Sequence, residues 1–309
     1  WTSHPTPFHE ASEAQRNAVF EDFWARGGVI FAKAFVRQTA DPEINLAATS
    51  FFEKKLSSII HGPQTLADLT PTDHPLGAKR ICTDSGYFEC FNLDHVHLVN
   101  LKQDPVISIV PEGIVTQSGL RKHDSIVFAT GFDALTGALT APDIRGRGGR
   151  LLGAELASGV TTFLGLAVPG FPNLLSLNGP GSPSVLSNMA LTSQQQGRFA
   201  LDLIRFCTES GYTSAEARAD AAEEWTTDNS NLADLTLFGA TRSWYTGANV
   251  EGKARGFLPY IGGFRPYIDR CDEVAGAGYS GFVLSANLPN HRGAVALQPR
   301  SSSERRKNR

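Results

Sequence analysis

The sequence predicts an α/β fold, and three observations predict it. Segments with helical period occupy the first sixty residues and the stretch after Met189. Short apolar runs rich in Val and Ile lie between 96 and 177. A glycine-rich turn, Asn178-Gly179-Pro180-Gly181-Ser182-Pro183-Ser184, joins an apolar run to the start of a long helix.

In chain order, Glu10 to Ala25 has helical spacing, and Gly27-Gly28 is its natural stop because glycine tolerates positive φ. A second helix opens at Asp41-Pro42, with Asp as cap and Pro in the first turn, and sets Phe51, Phe52, Leu56, Ile59 and Ile60 at core-forming spacing. Gly62 to Gly77, rich in Pro, Thr and Asp, reads as loop. Val96–Val99 and Val106–Val110 read as strands, and Gly113 and Gly119 punctuate a hairpin. Ser125-Ile126-Val127-Phe128-Ala129 suits a buried strand of an α/β sheet. Phe163–Val168 and Leu174–Leu177 read as further strands, followed by a helix reaching Cys207. Thr213 and Glu216 have capping-box spacing ahead of a helix through Trp225. The tail from Ser301 to Arg309 is polar and basic, the composition of a disordered end.

The chain has 309 residues, 41% hydrophobic and 19% charged, which suits a globular protein of about two domains. A net charge of -3 provides no basic field for nucleic acid. No apolar run is long enough to span a membrane, and no signal peptide is visible, so the expected location is the cytoplasm. Cys82, Cys90, Cys207 and Cys271 form no CxxC pair, so they are expected to be free thiols, with no metal site.

Four features could carry chemistry. Leu174 to Met189 is a strand-to-helix turn where free amides could meet an electron-rich group; a tight turn with no ligand fits equally well. Neither Asn178–Gly181 nor Gly146-Arg147-Gly148-Gly149 is a dinucleotide fingerprint. Lys79-Arg80 could hold an anion, although on spacing alone a solvated pair is the simpler account. Trp244-Tyr245 is either core packing or a stacking wall beside a flat ligand. No GxSxG elbow supports a serine hydrolase.

Several blocks together resemble Baeyer–Villiger monooxygenases of the phenylacetone monooxygenase-like branch. Ala129-Thr130-Gly131-Phe132-Asp133-Ala134-Leu135-Thr136-Gly137 is similar to the signature linking that family's two dinucleotide-binding domains. Gly165-Leu166, Gly170-Phe171-Pro172-Asn173, Gly179 to Ser184 and Ser187-Asn188-Met189 follow in family order. Lys79-Arg80, Gly86-Tyr87-Phe88-Glu89 and Phe91-Asn92 precede them; Ser243 to Asn249 and Tyr260-Ile261-Gly262-Gly263 come after. The resemblance runs from about Glu21 to Leu284.

That resemblance implies an FAD/NAD(P)-binding, Rossmann-like two-domain flavoprotein fold, N-terminally truncated and with a helical insert. The expected division is 1–80 for the insert, 81–130 for closing strands of the NADP domain, 131–300 for the C-terminal part of the FAD domain, and 301–309 for the tail. The implied reaction inserts one atom of O2 into a ketone to give an ester or lactone, using NADPH and FAD. Arg80 matches the active-site arginine, and Lys79 its neighbour on the nicotinamide cofactor. Trp244 matches a residue beside NADP, Met189 one against the flavin, and Ser184, Val185 and Leu186 a substrate loop. Gly131 and Asp133 belong to the crossover beside the flavin half, and Gly179 and Pro180 to the cofactor turn. The family's two GxGxxG motifs, its FxGxxxHxxxW fingerprint and an aspartate supporting the arginine lie upstream of these blocks and are not matched. The implied partners are a ketone, O2 and a missing N-terminal half; the other readings are a truncated, catalytically inactive remnant or partner-binding protein, and a flavin N-oxygenase.

Overall fold

A computed structural model describes residues 3–239 and 241–286, so the basic tail lies outside the described residues. Helix α1 (Glu13–Arg26) begins where Ser12 and Gln15 exchange side-chain and backbone hydrogen bonds, and ends at Gly27 with φ 69. Helix α2 (Pro42–Ile59) has Asp41 accepting from the amides of Glu43 and Ile44. Their apolar faces meet in an aromatic core of Phe8, Phe20, Phe23, Phe31, Phe35 and Phe51. The stretch read as loop contains a short helix, α3 (Pro63–Leu69), started by Pro63 at its first position.

After α4 (Tyr87–Cys90), three antiparallel strands follow: β1 (Val106–Val110), β2 (Gly113–Thr116) and β3 (Gly119–Lys122), with Val110 opposite Gly113 and Thr116 opposite Gly119. Two expected strands are corrected here. Neither Val96–Val99 nor Ser125–Ala129 forms regular structure. Val127 is 89% exposed and Phe128 69%, so no second layer covers that run among the described residues. Strand propensity needs a neighbour to be realised, and none is present.

Helices α5 (Gly137–Thr140) and α6 (Leu152–Ser158) lead into the second half, where α6 packs with Val168 and Phe171. Phe163–Val168 is not a strand but a tight turn closed by a bridge between Phe163 and Ala167, and Leu174–Leu177 is irregular. The long helix α7 (Met189–Glu209) is capped by the Asn188 side chain. Thr213 and Glu216 do not cap a helix. Ser214–Ala217 is strand β4, paired antiparallel with β5 (Phe282–Ser285), and α8 (Ala219–Asp234) starts after it. With α9 (Phe264–Gly276), these elements enclose a core built on Phe163, Phe199, Trp225, Tyr267 and Phe282. The four cysteines are free. No described helix is long and apolar enough to cross a membrane.

Candidate functional site

The turn after Leu177 is fixed from beneath by a buried chain of hydrogen bonds. Tyr267 on α9 donates its hydroxyl to the Leu164 carbonyl at 2.8 Å and accepts from Gln196 Nε2, also at 2.8 Å. Gln196 Oε1 accepts the Asn178 amide at 2.7 Å, and the Asn178 side chain donates to Ser193 Oγ at 2.6 Å. Asn178 itself sits at φ 54, a conformation asparagine tolerates better than most residues. Burial pushes the Tyr267 phenol well above its ordinary pKa, so it stays a neutral donor. Tyr267→Phe is expected to leave two buried groups without partners and to cost about 1–3 kcal/mol, read as a lower midpoint in urea.

From above, Trp225 Nε1 donates to the Gly181 carbonyl at 2.9 Å, and the Gly181 amide donates to Leu258 at 2.6 Å. Past this turn, Ser184–Leu186 form one 3-10 turn. Ser184 is fully buried and held at φ 40, and its hydroxyl has no partner among the described residues.

The crossover segment is fastened by a loop far along the chain. Lys253 Nζ donates to Asp133 Oδ1 at 2.5 Å and to the Ala134 carbonyl at 2.9 Å, and Asn249 Nδ2 donates to the Phe132 carbonyl at 2.9 Å. The same loop carries Trp244 and Tyr245 on a 3-10 turn closed by Ser243 and Thr246.

These pieces surround one cavity of about 270 Å3, lined among others by Asp133, Leu135, Gly179, Ser184, Met189 and Trp244. Val185 lines it too, and its carbonyl accepts a hydrogen bond from Arg80 Nη1 at 2.7 Å. So six expected residues (Asp133, Gly179, Ser184, Val185, Met189, Trp244) line the cavity, and Arg80, outside the lining, is joined to it through the Val185 carbonyl. Among the described residues no carboxylate forms a salt bridge with Arg80.

Lys79, Arg80, Gly131, Pro180 and Leu186 are not in the lining. Lys79 reaches Asp73 at 3.4 Å; a hydrogen bond from His74, followed by the Lys79 charge, holds the Asp73 carboxyl down at about 2. Gly131 adopts φ 88 in open surroundings, and the Pro180 carbonyl accepts from Thr162 Oγ1 at 2.8 Å beneath the turn. Lys253, Gln196 and Tyr267 carry parts of the site that sequence reasoning did not single out; Asn249 lay inside a recognised block without a role. Gly276, Gly278 and Gly281 do have GxGxxG spacing, but they close α9 and lead into β5, the reverse of the strand-to-helix order a dinucleotide site needs.

No family model matches the chain. The cyclopentanone 1,2-monooxygenase of a Comamonas species is 36% identical over 280 residues, covering 90% of this chain and 51% of that protein. The solved structure of an oxidized steroid monooxygenase bound to NADP superposes with a TM-score of 0.86 at 42% identity, over 93% of this chain and 54% of that one. The chain belongs to the Baeyer–Villiger monooxygenase family. Its fold is that family's α/β flavoprotein fold, and the chain spans about half the length of the curated relatives it matches. Another relative of this Baeyer–Villiger chain, a phenazine N-monooxygenase of Lysobacter antibioticus, is 36% identical over 280 residues, covering 89% of the chain and 51% of that protein.

Proposed function

We propose that this chain supplies the ring-side and substrate-side wall of a Baeyer–Villiger monooxygenase that uses FAD and NADPH to insert one oxygen atom from O2 into a ketone. The observation that carries this reading is a cavity lined by Met189, Trp244, Val185 and the Ser184 hydroxyl, which has no partner among the described residues, with Arg80 anchored on the Val185 carbonyl.

The lining fits part of the cofactor. Leu135, Leu139, Leu177, Met189 and Trp244 give flat, apolar walls, and the unpaired Ser184 Oγ and Asn178 Oδ1 are polar atoms with bonds to spare. At about 270 Å3 the cavity lies just under the ~300–1,000 Å3 of whole small-molecule pockets, so it accommodates a ring system and not a dinucleotide. Seats for the diphosphate belong to the part of the relatives that this chain does not cover, which is the partner the reading requires. Met189, Gly179 and Pro180 would face the FAD, with Asp133 and Gly131 at its side; Lys79 and Trp244 would serve NADPH, and Ser184, Val185 and Leu186 the ketone. In this division 1–80 is the insert, 81–130 closes the NADP domain and 131–300 completes the FAD domain, in the cytoplasm.

Bound FAD, once reduced by NADPH, supplies the activated oxygen. Arg80 keeps its proton at working pH and presents a fixed positive charge where oxygen gains negative charge during attack on the carbonyl. Trp244 and Met189 exclude water from that space, which favours oxygen insertion over release of hydrogen peroxide. N-oxygenation is the second reading, favoured by the similarity to the phenazine N-monooxygenase.

The test is to co-produce this chain with the part of the cyclopentanone relative that it does not cover. A yellow complex that oxidises NADPH and converts cyclopentanone to its lactone is expected. N-oxide from a phenazine with no lactone would select the second reading, and a colourless complex inert to NADPH would contradict both.

A further inference from the structure

The cavity takes its walls from distant parts of the chain. Asp133 belongs to the crossover and Trp244 to the loop that runs on to Phe257, and both line the same space. Such walls keep their separation when something spans them, because an untied loop samples many arrangements. Lys253 spans them.

We propose that Lys253 is the positioning residue that holds the Trp244 loop against the crossover, and so keeps the cavity closed to water while oxygen is transferred. The inference rests on the reading of that cavity given above.

The ammonium reaches its partners along a narrow path, and the Lys253 side chain is 9% exposed. Its stem passes 3.5 Å from the place a Gly247 Cβ would take, and Gly247, at φ 69, ends the turn that carries Trp244. That Cβ would also stand 2.8 Å from the Ala254 carbonyl oxygen, so the glycine leaves the path open. The Gly256 amide donates to the Thr246 carbonyl at 3.4 Å, and the Leu258 amide to Tyr245 at 2.8 Å. These bonds close the base of the loop. A shift of Lys253 is therefore passed to the Trp244 turn.

At its far end the ammonium donates to the Asp133 carboxylate and to the Ala134 carbonyl. Asn249 adds a neutral bond to the Phe132 carbonyl, so Lys253 supplies the ionic part of the clasp. With the ammonium largely out of water, the pair is screened less than a surface pair. Asp133 is 43% exposed, so without Lys253 its carboxylate can be hydrated where it stands. The expected outcome of losing Lys253 is a loosened loop on a folded protein.

The experiment labels the 309-residue chain with 5-fluorotryptophan and reads its 19F resonances, assigned from Trp24→Phe, Trp225→Phe and Trp244→Phe. Lys253→Met keeps a long stem and drops the charge. In it the Trp244 resonance is expected to move toward that of free 5-fluorotryptophan and to gain solvent-isotope shift in D2O. Trp24 and Trp225, each packed against its own core, are expected to stay in place, which certifies the fold. Asp133→Ala leaves the loop sequence intact and is expected to move Trp244 in the same direction. Lys253→Arg returns a cation to the same oxygens and is expected to bring the resonance back toward its wild-type place. A stem acting by packing alone would leave Lys253→Met silent.

A Trp244 resonance unmoved in Lys253→Met or in Asp133→Ala would overturn the proposal, as would Lys253→Arg displaced as far as Lys253→Met. If Trp24 and Trp225 also move in Lys253→Met, Asp133→Ala decides alone. In the co-produced complex, Lys253→Met is expected to send a larger share of NADPH to hydrogen peroxide, and an unchanged share would overturn the exclusion of water. The 19F readout needs neither flavin nor ketone. A silent Trp244 thus removes the role of Lys253 without touching the flavoprotein reading, and a colourless complex removes the latter without touching the clasp.

Discussion

Arg80→Ala is expected to abolish ester formation in the flavin-loaded protein while leaving its fold in place. The side chain is exposed and its bond to the fold is the contact with Val185, so truncation removes little packing. Under the proposed function, its loss weakens catalysis strongly. Removing one preorganised donor or charge beside a developing oxyanion raises the barrier by about 2.7–4 kcal/mol, roughly a hundred- to a thousand-fold in rate. NADPH consumption should continue and end in hydrogen peroxide. Chromatography of the ester together with a peroxide assay reads both arms, and ester at near wild-type rate would refute the role.

Gly165→Ala is expected to be among the most damaging single changes in the chain. Gly165 sits at φ 65, and a Cβ there would overlap the Ser182 amide and the Gly181 carbonyl carbon. Those are main-chain atoms of the turn that leads to Ser184, held by Trp225 and Leu258, so they have no side-chain freedom with which to yield. A left-handed conformation and a backbone overlap together predict a loss of about 3 kcal/mol. Gly197→Ala is the control: it lies within α7 with nothing near its would-be Cβ, and alanine there is expected to be neutral or stabilising. Equal denaturation midpoints for the two variants would contradict this description of the turn.

Local chemistry made much of the fold legible. Helical spacing up to Gly27, and Asp41 before Pro42, are local signals, so α1 and α2 could be placed from sequence, while the Ser12–Gln15 cap that starts α1 was not singled out. The hairpin at Gly113 and Gly119 was equally local. Strand β4 was not: Ser214-Ala215-Glu216-Ala217 has little strand propensity and exists because β5, nearly seventy residues later, pairs with it. The opposite error, Ser125–Ala129, has strand propensity and no neighbour to pair with among the described residues.

At the site, recognisable blocks led to Arg80, Met189, Trp244 and the Ser184 turn. Lys253, Gln196 and Tyr267 were hidden because their importance comes from burial and from partners 71 to 120 residues away. A polar residue in sequence carries no mark of the oxygen it will meet.

The most direct test is a crystal structure of this chain joined to the part its relatives carry beyond it, with FAD and NADP+ bound. The flavin ring is expected against Met189, with the Arg80 guanidinium, still on the Val185 carbonyl, turned toward the ring. A ring seated elsewhere, or an Arg80 side chain directed into solvent away from it, would contradict the account.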